Sequence, residues 1–176
     1  MSKILVVSDS HGFTRELELL KDRHQNEVDL MIHCGDSQLM PDQKSISGFI
    51  TVLGNCDFGG FPLEEIINVS GYKIFITHGH KYSIKTSLMT LNYRAKEVDA
   101  DIVCFGHSHV LGAELINGTL FLNPGSIRLP RGGLEKTYMI LDLFEEKINV
   151  SVFELNGKEI KSLSHEFILP KSRELE

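Results

Sequence analysis

A chain of 176 residues with 41% apolar and 24% charged side chains has the composition of one globular domain, since a single core ordinarily holds roughly 100 to 200 residues. No stretch approaches the roughly 18 consecutive apolar residues that span a bilayer, so no membrane association is expected. The formal net charge of -6 leaves no basic face, and strong nucleic-acid binding is not expected either.

The chain opens on Met-Ser-Lys-Ile-Leu-Val-Val-Ser-Asp, which runs into a strand without the apolar stretch and small-residue cleavage site of a secretory signal. Lys3 to Val7, Asp29 to His33, Phe49 to Leu53, Tyr72 to Thr77 and Asp101 to Phe105 are short, apolar and partly β-branched, and are predicted as buried strands. Between them, Phe13, Leu17 and Leu20 share a helical face, as do Leu88, Leu91, Ala95 and Val98. Strands alternating with helices predict an at least partly parallel sheet. From Glu114 onward the pattern changes to hairpins, with turn signals at Asn117-Gly118, Glu145-Glu146 and Asn156-Gly157. A second sheet is expected there, packed on the first with helices outside each. The expected domain covers 1-169, and the charged tail 170-176 is expected to fray. Cys34, Cys56 and Cys104 cannot all pair, which suits a reducing cytoplasm.

Each of the first five predicted strands ends on side chains of the metal-ligand type: Asp9-Ser10-His11, Gly35-Asp36, Gly54-Asn55-Cys56-Asp57, His78-Gly79-His80 and Gly106-His107-Ser108-His109. Sheets that carry helices place their sites at these carboxyl ends. In an extended segment, residues two apart point the same way, so Asp9 with His11, and His107 with His109, are expected to aim at one place. The glycines are expected to permit sharp turns and close approach.

In this order the motifs D-x-H, G-D, G-N-C-D, H and G-H-x-H resemble the calcineurin-like metallophosphoesterase superfamily. The likeness extends to Asn123-Pro124-Gly125-Ser126 and favours the small bacterial and archaeal phosphodiesterase branch. It implies an α/β (α+β) fold, a four-layer αββα sandwich of two mixed sheets flanked by helices. It also implies two divalent ions, with Mn preferred and Fe, Zn, Ni or Co as alternatives. Asp9, His11 and His109 would ligate one ion, Asn55, His78 and His107 the other, and Asp36 would bridge. The implied reaction is hydrolysis of a small phosphodiester by a hydroxide held between ions about 3.5 to 4 Å apart. A phosphomonoesterase is the near alternative. A silent protein-interaction scaffold is the distant one, because a eukaryotic retromer subunit of similar sequence uses the fold that way. Homo-oligomerisation is compatible with any of these.

Many superfamily members carry histidine where Cys56 stands, which reassigns the leaving-group acid to His80; Asn55 and Asp57 complete the expected catalytic set. Asp57 would orient a histidine or cap a turn. Other residues have plainer readings. Cys56 is equally well a half-buried packing residue, and Cys34, Cys104 and His33 belong to the core. His24 and His165 are solvated. Asn123 and Ser126 are structural, and Arg128 and Arg131 are either solvated or placed to meet an anion.

Overall fold

Alternation along the first strand sets the layering. In β1 (Ser2–Val7), Ile4 and Val6 enter the core between the sheets, while Leu5 and Val7 meet Leu17 and Leu20 of α1 (Arg15–His24) outside it. The second sheet follows the same rule. In β5 (Tyr72–Thr77), Ile74 and Ile76 face inward, and Phe75 packs outward with Leu91 and Ala95 of α2 (Met89–Glu97). All these side chains are fully withdrawn from solvent, each large aliphatic one contributing about 1.5 to 3 kcal/mol. The layers are therefore helix, sheet, sheet, helix, the αββα sandwich expected from the resemblance.

The computed structural model describes residues 1–170. The first sheet runs, edge to edge, through β11 (His165–Ile168), β10 (Lys147–Glu154), β9 (Thr137–Leu143), β1, β2 (Leu30–His33) and β3 (Phe49–Thr51). It is parallel from β1 to β3 and antiparallel elsewhere. The second runs through β4 (Glu64–Val69), β5, β6 (Ile102–Cys104), β8 (Thr119–Asn123) and β7 (Gly112–Ile116), and is parallel over β5, β6 and β8. Both sheets are mixed.

One expectation is corrected. The C-terminal hairpins do not build a sheet of their own: the pair turning at Asn117-Gly118 extends the second sheet, and β9, β10 and β11 extend the first. The second sheet begins at β4 and β5 instead, joined through the left-handed pair Ser70-Gly71. The reason is pairing: β8 lies parallel to β6, and β9 antiparallel to β1, so each late strand completes a sheet begun earlier. Of the tail expected to fray, 171–176 lies outside the described residues.

Candidate metal centre

The loops after β1, β2, β3, β5 and β6 meet over the crevice between the sheets. Backbone bonds lash them together: Asp9 N–H donates to the Gly35 carbonyl (3.0 Å), and Gly106 N–H to that of His78 (3.1 Å). Across the sheets, the His107 N–H donates to Asp9 Oδ2 (3.1 Å).

The backbone here does something the extended-strand argument did not anticipate. Asp9 (φ 54), His11 (φ 41), Asp36 (φ 56), His107 (φ 67) and His109 (φ 58) are all left-handed. Asp9 and His11 do converge (Oδ1 to Nε2, 3.8 Å), but through a tight turn that leaves the sheet at once, whereas His107 turns to the His78 ring and His109 to Asp9 and His11. Left-handed non-glycine residues are uncommon and cost energy, and they concentrate at functional sites. Gly54 and Gly106 serve by their size, because a Cβ on either would collide with the Asp36 carboxylate or with Ser8 and Asp9.

Hydrogen bonding fixes the state of three imidazoles. Nδ1–H of His78 donates to the Cys34 carbonyl (2.8 Å), that of His109 to the Leu129 carbonyl (2.7 Å), and that of His11 to Gln38 Oε1 (2.8 Å). Each neutral ring is then left with a bare Nε2 lone pair. These lone pairs face one space. His11 Nε2 and His109 Nε2 stand 3.2 Å apart, and His78 Nε2 lies 3.2 Å from Asp36 Oδ2 and 3.1 Å from Asn55 Oδ1. Asp9 Oδ1 lies 3.2 Å from His109 Nε2 and 3.8 Å from those of His11 and His78, yet it is buried with no hydrogen-bond partner. An orphaned buried carboxylate oxygen surrounded by nitrogen lone pairs needs a cation.

The charges within the cradle agree. Burial alone would lower His78, but the adjacent Asp36 and Asp9 carboxylates raise it; the Asp9 carboxylate beside its Nε2 raises His109. Burial would raise Asp36, but His78 and the Cys56 N–H (2.8 Å) hold it well below the usual carboxylate range. Protons on these rings stand where divalent cations would. Donor atoms of Asp9, His11 and His109 lie within 4.8 Å of one another, and so do those of Asp9, Asp36 and His78. Asp9 thus sits in both groupings, and Asp36 also stands within that reach of His11 and Cys56. Mixed imidazole and carboxylate donors suit Mn, Fe, Zn, Ni or Co better than Ca.

The remaining candidates separate by what they touch. His107 has its ring centroid 5.1 Å from that of His78, facing the second grouping without joining a close triad; burial and His78 lower it to about 4. Asn55 is exposed and reaches the site through His78. His80 stands behind both, with ring centroids 5.4 Å from His78 and 6.2 Å from His107. Its Nδ1 is buried and unpartnered, and burial followed by His78 lowers its pKa. Cys56 is exposed rather than half-buried, with donor-atom access to His11 and Asp36.

Asp57 does not orient a histidine. Its Oδ2 accepts the Asp36 and Gly54 N–H groups (2.9 and 2.6 Å) and its Oδ1 accepts that of Gln38 (2.7 Å), which clips the β2 loop to the β3 loop. Asn123 Nδ2 donates to the Gly106 carbonyl (3.1 Å) and Ser126 Oγ to that of Asp9 (2.7 Å), buttressing two ligand loops as structural residues. Arg128 donates to the His11 carbonyl and lies over the Phe13 ring, so it braces a loop. His33 is a core histidine as expected: Nδ1 accepts the Gly35 N–H (3.1 Å), so Nε2–H donates to Ser10 Oγ (2.8 Å), and burial lowers it to about 4. Sequence reasoning missed Gln38, which carries no motif and is placed only by its left-handed turn (φ 56).

With this geometry in view, the model of the calcineurin-like phosphoesterase superfamily domain matches residues 2–146. The chain belongs to that family. Its members are metal-dependent and act on phosphoesters, which accords with a cradle of bare imidazole nitrogens and carboxylates. A probable metallophosphoesterase of Bacillus subtilis, YsnB, is 45% identical over 94% of this chain and 99% of its own length. The phosphodiesterase YfcE of Escherichia coli is 31% identical over 63% and 59%. Among solved structures, a conserved protein of Streptococcus pneumoniae described as a predicted phosphoesterase superposes with a TM-score of 0.91 at 38% identity, covering 95% and 97% of the two chains. Vacuolar Protein Sorting 29 of Cryptosporidium parvum shares the fold at 21% identity and a TM-score of 0.77, over 95% and 98%. No helix among the described residues is long and apolar enough to cross a membrane.

Proposed function

We propose that this calcineurin-like phosphoesterase is a phosphodiesterase that hydrolyses a small phosphodiester with two divalent ions, Mn foremost. The carrying observation is the orphaned Asp9 Oδ1 among three Nε2 atoms whose rings are locked, by their Nδ1–H bonds, to present lone pairs. When bound, such ions supply an activated water and neutralise charge on the phosphoryl oxygens. Asp9, His11 and His109 would hold one and Asn55, His78 and His107 the other, with Asp36 between.

The protein's own contribution is placement. The carbonyls of Cys34 and Leu129 and the Gln38 amide fix the rings, and Asp57 fixes the loop that carries Asp36. His80 is proposed to protonate the leaving oxygen: it stands beyond His78 and His107 with an unpartnered ring nitrogen, where Cys56, flanked by Asp36 and Asp57, cannot substitute as readily. Its lowered pKa calls for a substrate phosphate to restore the proton. The preference for diesters rests on the name of the E. coli relative. The scaffold alternative draws on fold alone, and every expected ligand is present here. A cytoplasmic site of action and one domain over 1-169 remain part of the proposal.

The test is metal analysis of protein purified with Mn, coupled to turnover of bis-para-nitrophenyl phosphate and para-nitrophenyl phosphate. Near two ions per chain and faster diester turnover are expected. No bound metal and no turnover would hand the chain to the scaffold reading. His80→Asn should slow esters with poor leaving groups while sparing para-nitrophenyl esters.

A further inference from the structure

The motif Gly106-His107-Ser108-His109 has two sides, and the metal reading uses only one. Ser108, between the two histidines, turns away from the cradle and accepts a hydrogen bond from Asn123 Nδ2 (3.0 Å). There it forms a wall of a cavity of about 550 Å³, which also borders on Phe105, Phe121, Ile84 and Leu88. The space lies on the outer face of the second sheet, where α2 covers β5 and β6 but leaves the β7 edge open. Its size and apolar lining fit a small organic ligand, for which sites of roughly 300 to 1,000 Å³ are usual.

Charge is distributed along the cavity in order. Lys85 and Arg131 line it and lie within electrostatic range of His107 and His109 respectively. Neither has an ion-pair partner among the described residues. Glu114 lines the cavity on β7 and also borders the groove that continues along α2. Two unpaired cations beside the metal ligands, and an acid farther out, match a molecule that is anionic at one end and neutral or hydrogen-donating at the other.

We infer that this cavity is the specificity pocket of the phosphodiesterase, seating a neutral, ring-sized ester group of the substrate while Lys85 and Arg131 steady its phosphate. The inference rests on the metal-centred reading above. Gly112 offers a way to fill the pocket without disturbing the fold. It lines the cavity, pairs with Asn123 in register, and a Cβ there meets no heavy atom within 4 Å. Its φ is not left-handed, so Gly112→Trp adds bulk without backbone strain.

Titration calorimetry on the Mn-loaded protein, with methylphosphonate and 2-phenylethylphosphonate as probes, tests this without requiring turnover. The wild type should bind the aryl probe roughly tenfold or more tightly than the methyl probe, from the apolar area buried. Gly112→Trp should erase that difference while leaving methylphosphonate binding and Mn content unchanged. Lys85→Ala and Arg131→Ala should weaken both probes alike. Equal affinity of both probes in the wild type, or a Gly112→Trp effect on both or on neither, overturns the pocket and leaves the metal reading standing. Absence of Mn or of methylphosphonate binding in the wild type overturns the metal reading, and the pocket with it.

Discussion

Two groups of buried histidines in this molecule look alike in sequence and differ in what surrounds them. His24, on the outer side of the first sheet, has both nitrogens engaged: Nδ1–H donates to Glu27 (2.9 Å) and Nε2 accepts from the Tyr138 hydroxyl (2.8 Å), which in turn accepts from Arg23 (3.3 Å). His33 is likewise engaged at both nitrogens. His11, His78 and His109 each have one nitrogen held by an uncharged oxygen, and the other faces carboxylates and further imidazoles. A buried imidazole with its own hydrogen-bond partner at each nitrogen is finished; one held at a single nitrogen, with buried carboxylates and further imidazoles crowding the other, is waiting for a cation.

The largest expected break in that comparison is Asp36→Asn. Asparagine tolerates the left-handed turn at φ 56, so the loop survives while the charge that faces both His78 and His11 disappears. Metal content and turnover should fall beyond the roughly 10- to 100-fold expected for an outer partner. Retained activity would remove the bridging assignment. Asp57→Asn should fall within that 10- to 100-fold range, because one of the backbone amides now held by two anionic oxygens loses its acceptor; metal affinity by competition with a chelating dye measures it.

Acid separates His33 from His78 and His109 by sign. His33 titrates near 4 in the fold against an ordinary 6.5, because burial disfavours its cation. The unfolded chain therefore binds more protons between those values, and the contribution of His33 is whole above about pH 6.5 and lost as pH falls toward 4. His78 and His109, raised by the carboxylates beside them, contribute oppositely: their share is present at low pH and is lost as pH rises through their folded values. Urea unfolding of chelator-treated protein between pH 7 and 4.5 should show a shallower loss in His33→Gln than in the wild type. A parallel pair of curves would mean that His33 does not titrate as its burial requires.

The smallest effect belongs to the finished cluster. Tyr138→Phe removes the hydroxyl between Arg23 and His24 and should lower stability by about 1 kcal/mol, with metal content and turnover unchanged. A change in metal uptake would erase the distinction between the two groups.

Much of the site was legible because its residue types are chemically unusual at strand ends, and β1, β5 and β6, which carry most of them, are largely buried on both faces and so read as apolar runs. β4 and β11 were not, since edge strands alternate weakly. In Glu64–Val69 the glutamates stand beside the isoleucines, and His165–Ile168 is mostly exposed. The burial of His24 was equally hidden, because its partner Tyr138 is 114 residues away and its own neighbourhood is polar. The i, i+2 argument brought Asp9 and His11 together by the wrong conformation and did not hold for His107 and His109: periodicity describes strands, and these side chains lie where the strand has already stopped.

Those left-handed turns restrict the variation open to the chain. A replacement at Asp9, His11, Asp36, His107 or His109 must accept positive φ whatever its chemistry, and threonine, valine and isoleucine resist that conformation through their branched Cβ. Asparagine, aspartate, histidine and glycine remain. In descendants that lose the metal, drift at these five positions should first run through that short alphabet, so an inactive relative would keep the shape of the cradle long after its chemistry had gone.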